Sequence, residues 1–391
     1  MVPNGWELTS FGKLAEFRNG LNFTKSDQGE SIKIVGVADF KDHSSLSSLD
    51  NLNTIKVSNT VKEIDLIKSG DVLFVRSNGN KDLIGRCLFF PVVTEKLSFS
   101  GFTIRGRVTS NDILPSYLAL LSRSEIVRPQ FSKNGGGTNI SNLSQQILND
   151  VVIPLPAVDE QRKIAKILST WDKAIATTEK LIETSKQQKK ALMQQLLTGK
   201  KRLVNPETGK VFEGEWKKVE LGELLDYKQP TPYLVKSTEY SSEYSTPVLT
   251  AGKTFILGYS NEDFGIFSEE LPAIIFDDFT TASKFVDFPF KAKSSAMKIL
   301  IAKEGVSIKY VYEAMQVLNY PVGGHQRHWI SIFANLVIGL PEPEEQQKIA
   351  SVFTAADKEI EVLEAKLDHL KDEKKALMQQ LLTGKRRVTL E

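Results

Sequence analysis

The sequence contains few of the residues that build disulfides, metal sites or membrane spans. Among 391 residues there are one cysteine, Cys87, and four histidines. A single cysteine excludes an internal disulfide, and no segment approaches the roughly 18 uninterrupted apolar residues of a membrane-spanning helix. The first residues also lack the basic stretch and apolar run of a signal peptide. We therefore expect a cytoplasmic protein.

A large excess of charge of either sign is also missing. Lys and Arg total 50, Asp and Glu total 48, and the net charge is +2. Bulk charge therefore does not indicate a nucleic-acid-binding protein, and any basic surface must be local. Length is more informative, because domains usually contain about 100 to 200 residues and this chain is long enough for two or three.

The chain does contain an internal repeat. Residues 155–202 align without a gap on residues 340–387 at an offset of 185, and 25 of the 48 aligned pairs are identical. Twelve of these form the unbroken run KKALMQQLLTGK, which occurs at Lys189–Lys200 and again at Lys374–Lys385. Chance does not produce such a run, so one unit is present twice.

A second offset extends the repeat to the preceding segments. Trp6, Gly12 and Leu14 match three residues 210 positions later, namely Trp216, Gly222 and Leu224. The difference between the two offsets means that the second domain is shorter. The predicted segments are a first domain (1–153), a helical segment (154–202), a linker (203–213), a second domain (214–338) and a second helical segment (339–391).

Apolar residues in both helical segments recur at alternating spacings of three and four, which is typical of a coiled-coil seam. The second seam is interrupted only at Lys374. We expect the two seams to pair with each other, since either alone would leave a long apolar stripe in water. The first seam comprises Ile164, Ile167, Trp171, Ile175, Thr178, Ile182, Ser185, Leu192 and Leu196; the second comprises Ile349, Val352, Ala356, Ile360, Leu363, Leu367, Leu370, Leu377 and Leu381.

Identity at polar positions outside a seam is not required for helix pairing. It indicates that both copies present the same docking surface to the same partner, although a merely solvated charged face is the alternative. The candidate docking residues are Lys189, Lys190, Gln194, Gln195 and their equivalents Lys374, Lys375, Gln379 and Gln380.

The predicted fold class is α+β, with two mixed-β domains separated by two long helices. The first domain has strand-like runs at 32–40, 71–76, 87–93 and 102–108 and a helix at 116–127; the second has strand-like runs at 246–251, 273–279, 284–290 and 296–302 and a helix near 308–318. Long polar turns connect these runs, which is typical of a scaffold that presents binding loops.

The turns also carry side chains that can bond to base edges or phosphates, and glycines that allow close backbone approach. An ordinary surface loop is the alternative for each. The candidates in the first domain are Arg76, Ser77, Asn78, Asn80, Lys81, Lys133, Asn134, Thr138 and Asn139; those in the second are Lys253, Thr280, His325, Gln326, Arg327 and His328.

Motifs for catalysis are incomplete. Gly252-Lys253-Thr254 resembles the end of a phosphate-binding loop, but Pro247 stands where its first glycine is required. His325 and His328 lack an evident third metal ligand. Asp277 and Asp278 have no nearby lysine that completes a nuclease pattern. The sequence therefore indicates a protein that binds and positions rather than an enzyme.

Two copies of Leu-Pro, Glu-Gln and Lys-Ile-Ala, each followed by a long helix ending in Leu-Leu-Thr-Gly-Lys and preceded by a variable domain with an early Trp, resemble the specificity subunit of type I restriction–modification systems. This resemblance covers the entire chain. It implies two target-recognition domains, each reading half of a bipartite site in double-stranded DNA, and an antiparallel coiled coil that sets their spacing.

The resemblance also implies partners and cofactors. Two methyltransferase subunits would dock on the coiled coil and restriction subunits would join them, so S-adenosylmethionine, ATP and Mg are expected on those subunits and no cofactor in this chain. The alternatives are the recognition subunit of a fused type II restriction–methylation enzyme, a coiled-coil protein-interaction scaffold, and a self-contained enzyme.

Overall fold

The computed structural model describes residues 2–23, 29–40, 44–46, 48–57, 61–134, 142–252, 254–318 and 328–390. Contacts divide the chain into two compact units. The first unit contains residues 1–177 and 367–391, and the second contains residues 178–366. Each unit therefore consists of one domain together with parts of both helical segments.

The first half of the chain contains nine strands and five α-helices among its described residues. The strands are β1 (Glu7–Ser10), β2 (Ala15–Asn19), β3 (Glu30–Val35), β4 (Asn53–Val57), β5 (Val72–Val75), β6 (Cys87–Phe89), β7 (Leu97–Phe99), β8 (Thr103–Val108) and β9 (Val152–Leu155). The helices are α1 (Phe11–Leu14), α2 (Pro115–Leu121), α3 (Arg128–Asn134), α4 (Gln145–Asn149) and the long α5 (Val158–Leu196).

The second half repeats this series with one helix fewer in its described part. The strands are β10 (Lys217–Glu220), β11 (Leu225–Lys228), β12 (Thr246–Leu249), β13 (Ile256–Ser260), β14 (Ala273–Asp277), β15 (Ser283–Val286), β16 (Lys291–Ala292), β17 (Met297–Ala302) and β18 (Val337–Leu340). The helices are α6 (Leu221–Leu224), α7 (Ile308–Val317), α8 (His328–Ser331) and the long α9 (Pro343–Leu382).

The two domains share one sheet topology. The first contains sheets with the strand orders β2-β8-β5-β6, β4-β3-β7 and β1-β9, and the second contains β11-β17-β14-β15, β13-β12-β16 and β10-β18. The β3–β7 and β12–β16 pairs are parallel, and the other named strand pairs are antiparallel. The duplication therefore extends through both domains, although their sequences retain little similarity.

The central strand of the first domain is buried on both faces. Val72 and Phe74 pack with α2 and the long helices, whereas Leu73 and Val75 pack against residues of the three-stranded sheet such as Phe99. Alternation of side chains along a strand produces this division. Two apolar cores therefore lie on opposite faces of the four-stranded sheet.

The second domain repeats the arrangement around β14. Ile274 and Phe276 belong to the core that includes α7, and Ala273 and Ile275 belong to the core shared with Phe290. Four consecutive residues of β14 are buried. Such a run cannot alternate with polar residues as a half-exposed strand does, which explains its continuous apolar sequence.

Helix α5 and helix α9 pair antiparallel within each unit. In the first unit Lys374 Nζ lies 2.5 Å from Asp172 Oδ1. In the second unit Lys189 Nζ lies 2.6 Å from Asp357 Oδ1, and Lys186 Nζ lies 2.7 Å from Glu364 Oε1. Increasing numbers on α5 thus meet decreasing numbers on α9, and the predicted antiparallel coiled coil is confirmed.

These contacts explain the break in the seam. Lys374 occupies a seam position, and its equivalent Lys189 does the same on α5. Each lysine reaches an aspartate of the other helix, Asp172 or Asp357, and these aspartates are themselves related by the offset of 185. A charged residue in an apolar seam selects one register because a shifted register leaves it unpaired.

The predicted α+β class with two sheet-rich domains and two long helices is confirmed. No helix in the described ranges combines the length and the apolar character required to cross a membrane.

Candidate nucleic-acid interface

The first domain presents its candidate residues where β5 ends. Arg76 N donates to Phe102 O at 2.8 Å, and Ser77 N donates to the same oxygen at 3.5 Å. The Arg76 guanidinium donates from Nη1 to Gly101 O at 3.3 Å. These bonds hold the start of the β5–β6 loop against the turn that precedes β8. We call residues 76–81 and 100–102 the loop end of the first domain.

Asparagines stabilise the loop from within. Asn78 Oδ1 accepts a hydrogen bond from Asn80 N at 2.8 Å, and Asn80 Oδ1 accepts one from Asp82 N at 3.0 Å. Asn80 thereby caps a short 3₁₀ turn, Lys81–Leu83. Asn80 and Lys81 are exposed and Asn78 is half-buried. The two amide oxygens are thus engaged within the loop, and these bonds do not use the side-chain NH₂ groups.

A groove opens beside this loop. Its volume is about 540 Å³, and it is lined by Phe23, Gly36, Val37, Ser77, Asn78, Gly79, Ser100 and Phe102. Strand register explains why these distant residues meet: Val35 pairs with Phe99, and Val75 pairs with Thr103, so the ends of both sheets converge here.

Thr280, a candidate of the second domain, lies on the equivalent loop. The β14–β15 loop leaves the four-stranded sheet at the position that corresponds to the β5–β6 loop. Asp277 Oδ1 accepts hydrogen bonds from Phe279 N and Thr280 N, both at 2.9 Å, and Thr280 is exposed. Asp278 N donates to Ala296 O at 3.1 Å, just as Arg76 N donates to Phe102 O. Residues 277–282 and 294–296 form the loop end of the second domain.

This loop end also borders a groove, with a volume of about 380 Å³. Its lining residues are Ala251, Gly252, Thr281, Ala282, Ser283, Lys284, Met315, Gln316, Leu318 and Phe333. Each domain therefore places a concave surface beside the same loop of its four-stranded sheet. Concave surfaces with a few polar groups are the usual form of a binding site.

Several candidates fall outside the described residues, namely Thr138, Asn139, Lys253, His325, Gln326 and Arg327. Lys133 and Asn134 end α3, and His328 begins α8, but the description does not extend to their side chains. Contacts of these nine residues with DNA remain predictions.

The paired carboxylates of the second domain are used by the fold. Asp278 is 2% exposed, and its Oδ1 accepts a hydrogen bond from Trp329 N at 2.9 Å. Its other oxygen lies 3.8 Å from Lys298 Nζ, which is also buried. Asp277 caps its own loop, as described above. Both carboxylates thus have structural partners. Among the described residues, no three His, Cys, Asp or Glu side chains are grouped to hold a metal ion.

A charged cluster that was not identified from the sequence lies where the first domain meets the long helices. The side chain of Glu160, at the start of α5, is 4% exposed. It accepts hydrogen bonds from Arg387 Nε at 2.7 Å, from Arg387 Nη2 at 2.8 Å and from Trp6 Nε1 at 3.1 Å. The Arg387 guanidinium also lies over the Trp6 ring, 5.8 Å from its centroid. The hydrogen bond from Arg387 to Glu160 raises the pKa of Arg387.

The second unit contains the equivalent cluster. Glu345 accepts hydrogen bonds from Arg202 Nε at 2.6 Å, from Arg202 Nη2 at 2.7 Å and from Trp216 Nε1 at 3.1 Å. Arg202 lies over the Trp216 ring at 5.5 Å. All three residues are identical in the two copies, and this identity is the sequence feature that could have indicated the cluster. Each cluster ties a domain to the start of one long helix and to the segment that follows the other.

The glutamines that follow Glu160 and Glu345 form further bonds between each domain and its long helix. Gln161 Oε1 accepts from Leu114 N at 2.9 Å, and its Nε2 donates to Pro156 O at 2.8 Å. In the second unit Gln346 Oε1 accepts from Ser307 N at 3.0 Å, and its Nε2 donates to Pro341 O at 2.8 Å. The repeated Glu-Gln pair therefore fixes each domain on its helix.

Of the eight candidate docking residues, six are exposed in identical patterns on the two copies: Lys190, Gln194, Gln195, Lys375, Gln379 and Gln380. The other two are engaged within the chain. The Lys189 side chain is 17% exposed and bonds to Asp357 and Glu313, and the Lys374 side chain is 15% exposed and bonds to Asp172.

In the second unit, a further lysine, Lys309, joins the ion pair between Lys189 and Asp357. Lys309 Nζ lies 2.7 Å from Glu313 Oε1 and 2.6 Å from Asp357 Oδ2. Burial raises the pKa of Asp357, but hydrogen bonds from Lys189 and Lys309 outweigh burial, so the pKa lies below its usual value. Burial lowers the pKa of Lys309, but its hydrogen bonds to Asp357 and Glu313 keep that pKa above its usual value. The Asp357 carboxylate and the Lys309 ammonium group are therefore charged at neutral pH.

Comparisons with known proteins agree on one family. The family described as type I restriction modification DNA specificity domain matches residues 3–187 and 213–372. The specificity subunit of the Escherichia coli type I restriction enzyme EcoR124I/EcoR124II is 49% identical over 145 residues, which are 36% of this chain and 35% of that protein. The putative MjaX specificity subunit of Methanocaldococcus jannaschii is 27% identical over 418 aligned positions, covering 99% of this chain and 95% of the relative.

A solved structure has the same fold. The crystal structure of the type I restriction–modification S subunit from M. genitalium superposes with a TM-score of 0.64 at 13% identity, covering 100% of this chain and 99% of the other.

Proposed function

The chain belongs to the family of type I restriction–modification DNA specificity subunits, and we propose that each of its two domains reads one half of a bipartite site in double-stranded DNA. Specificity subunits of this family are non-catalytic. Catalysis by this chain is therefore not expected, and its contribution is to select the sequence at which partner subunits act.

The observation that carries this proposal is the repeated sheet order with unequal loops. Both domains place a loop and a groove at the same end of equivalent sheets. The β5–β6 loop and the β14–β15 loop differ in length and sequence. Equal scaffolds with different loops fit similar ligands of different sequence, as the two halves of one DNA site are.

The long helices are suited to set the spacing between the two domains. Each has about 40 residues without interruption, 39 in α5 and 40 in α9. We propose that their antiparallel pairing sets a fixed distance between the two half-sites. Paired seam lysines support this, since they select a single register.

We further propose that two methyltransferase subunits dock on the exposed residues that the helices share. The six identical exposed residues, Lys190, Gln194, Gln195, Lys375, Gln379 and Gln380, give two equivalent surfaces. Restriction subunits would complete the enzyme. S-adenosylmethionine, ATP and Mg would then be bound by those partners, and the chain itself would need none.

The alternatives have less support. A protein-interaction scaffold would not need matched grooves at the loop ends. A recognition subunit of a fused type II enzyme would use the same architecture, but the matched relatives are named as type I subunits. Asp277 and Asp278, the strongest candidates for a self-contained enzyme, both have structural partners.

A methyl-transfer assay tests the proposal. The purified chain, the methyltransferase partner, and their complex are each incubated with labelled S-adenosylmethionine and bacterial genomic DNA. We expect sequence-specific incorporation from the complex alone. Methylation by the purified chain would indicate an enzyme, and methylation by the partner with unchanged specificity in the absence of the chain would contradict the proposed role.

A further inference from the structure

Phe102 is the aromatic residue of the loop end of the first domain, and 64% of its surface is accessible. It lies in the turn between β7 and β8, beside Arg76. A single exposed apolar side chain is common on protein surfaces and indicates nothing by itself. A function for Phe102 can therefore be inferred only from the residues around it.

The turn that carries Phe102 is held from both sides. Its own carbonyl accepts from Arg76 N at 2.8 Å, and Gly101 N donates to Leu21 O at 2.7 Å. Gly20 allows this close approach, because a Cβ there would lie 2.2 Å from Ser100 O. The ring is thus presented by an ordered backbone, and binding it would cost little conformational entropy.

The groove beside the ring is also lined by polar residues. Ser77 and Asn78 line it, and both are half-buried. The Asn78 amide oxygen accepts a hydrogen bond from Asn80 N at 2.8 Å, and this bond does not use the NH₂ donors of the same amide. An apolar ring therefore stands next to an amide whose oxygen is engaged within the loop.

We propose that this groove receives the major-groove edge of an A·T pair, with the Phe102 ring against the thymine methyl group and the Asn78 NH₂ group donating to an acceptor on the base edge. Thymine is the one base that displays a methyl group in the major groove, next to acceptor and donor atoms of the pair. The occupant thus matches the chemistry of the groove. This inference rests on the proposed function, since it names a base that the first domain would read.

The second domain has a counterpart from a different loop. Phe279 is 51% exposed and lies in the β14–β15 loop, next to Thr280. Ala296 occupies the sheet position that corresponds to Phe102, because its carbonyl accepts from Asp278 N. Each loop end therefore presents one exposed phenyl ring, although equivalent positions do not supply it. The second ring supports an apolar contact with a base at each loop end.

The experiment uses the complex of the full chain with its methyltransferase partner and a duplex that carries the methylated motif. Each thymine of the motif is replaced in turn by deoxyuridine, which lacks only the methyl group, and dissociation constants are measured for the wild type, F102A and F102L. At one position we expect about a fourfold loss for the wild type and none for F102A. F102L should retain part of the methyl dependence.

V92A is the matched control. Val92 is 58% exposed in the same domain but follows β6, away from the loop end, so its variant should keep the wild-type response to every deoxyuridine. The inference would be overturned if F102A bound the unmodified duplex as tightly as the wild type does. It would also be overturned if F102A bound every deoxyuridine duplex less tightly than the wild type does. Either result would leave the proposed function intact. Absence of any bipartite methylated motif with the wild type would instead overturn the proposed function.

Discussion

Arg387 forms two hydrogen bonds with Glu160, from a position 227 residues later in the chain. Glu160 begins α5, and Arg387 follows the end of α9. The first unit is therefore assembled from both ends of the sequence, and the same bond between Arg202 and Glu345 assembles the second. Neither domain is completed by its own copy of the repeat alone.

Removing the arginine of this pair should destabilise its unit. In R202A, the Glu345 carboxylate, with a side-chain exposure of 2%, keeps the Trp216 bond but loses its cation. We expect the free energy of unfolding to fall by about 2–3 kcal/mol, as measured by urea denaturation. R387A should act in the same direction in the first unit. K201A, an exposed neighbour, serves as the control, and an R202A midpoint equal to that of K201A would contradict this role.

The stability of the seam should depend on acid pH through Asp357. The pKa of this carboxyl lies below its ordinary value of 3.8 in the folded chain, so the folded state binds its proton less readily than the unfolded state does. The resulting stabilisation is complete above pH 3.8 and is lost as the pH falls through the lowered folded value. D357N should thus be less stable than the wild type at neutral pH.

The measurement is the difference in unfolding free energy between wild type and D357N, from pH 7 downward. We expect this difference to shrink below pH 3.8. E361Q, which alters an exposed carboxylate paired with Lys358 three residues away, controls for general acid effects. A D357N difference that is constant with pH would show that the charge of Asp357 does not stabilise the seam.

The docking surfaces should act independently. K190E combined with Q194A changes exposed residues of α5 alone, and K375E combined with Q379A changes their equivalents on α9. We expect each variant to bind one methyltransferase subunit instead of two, and the combined variant to bind none, by native mass spectrometry. K180E, also exposed on α5 but outside the identical run, should bind two. Two bound subunits in the combined variant would place docking elsewhere.

Arg76 should affect DNA binding more than folding. Its side chain makes a single long bond to Gly101 within the described residues, at 3.3 Å. R76A should therefore unfold like the wild type but weaken binding of specific DNA by about 1–3 kcal/mol if the guanidinium contacts a base. Fluorescence anisotropy with cognate and scrambled duplexes separates these effects. An equal loss on both duplexes would assign Arg76 to the phosphate backbone.

Much of the architecture was predictable because the repeat and the seam spacing are properties of sequence alone. The order of the strand-like runs was predictable as well, since the fourth run of each domain begins at Phe102 or Ala296. The pairing of these runs into sheets was not, because it joins segments that are distant in the sequence. The role of Lys189 was not predictable. Its identity with Lys374 indicated a docking surface, but each of these lysines forms an ion pair with an aspartate of the other long helix.

The loop residues were predictable only as a class. Polar turns flanking strands identified Arg76–Lys81 and Thr280, and the structure places them on equivalent loops. The importance of Phe102 could not be found by searching for polar residues, because its exposure depends on the turn that carries it. The Trp6, Glu160 and Arg387 cluster joins three distant segments, and only identity in the second copy pointed to it.

The measurement that tests the central claim most directly is methylome sequencing of a host that expresses this chain with its methyltransferase partner. We predict one motif made of two defined blocks separated by a fixed number of unspecified bases, with a methylated base in each block. A single continuous motif, or a genome without a motif that depends on the chain, would contradict the account of two domains that each read one half of the site.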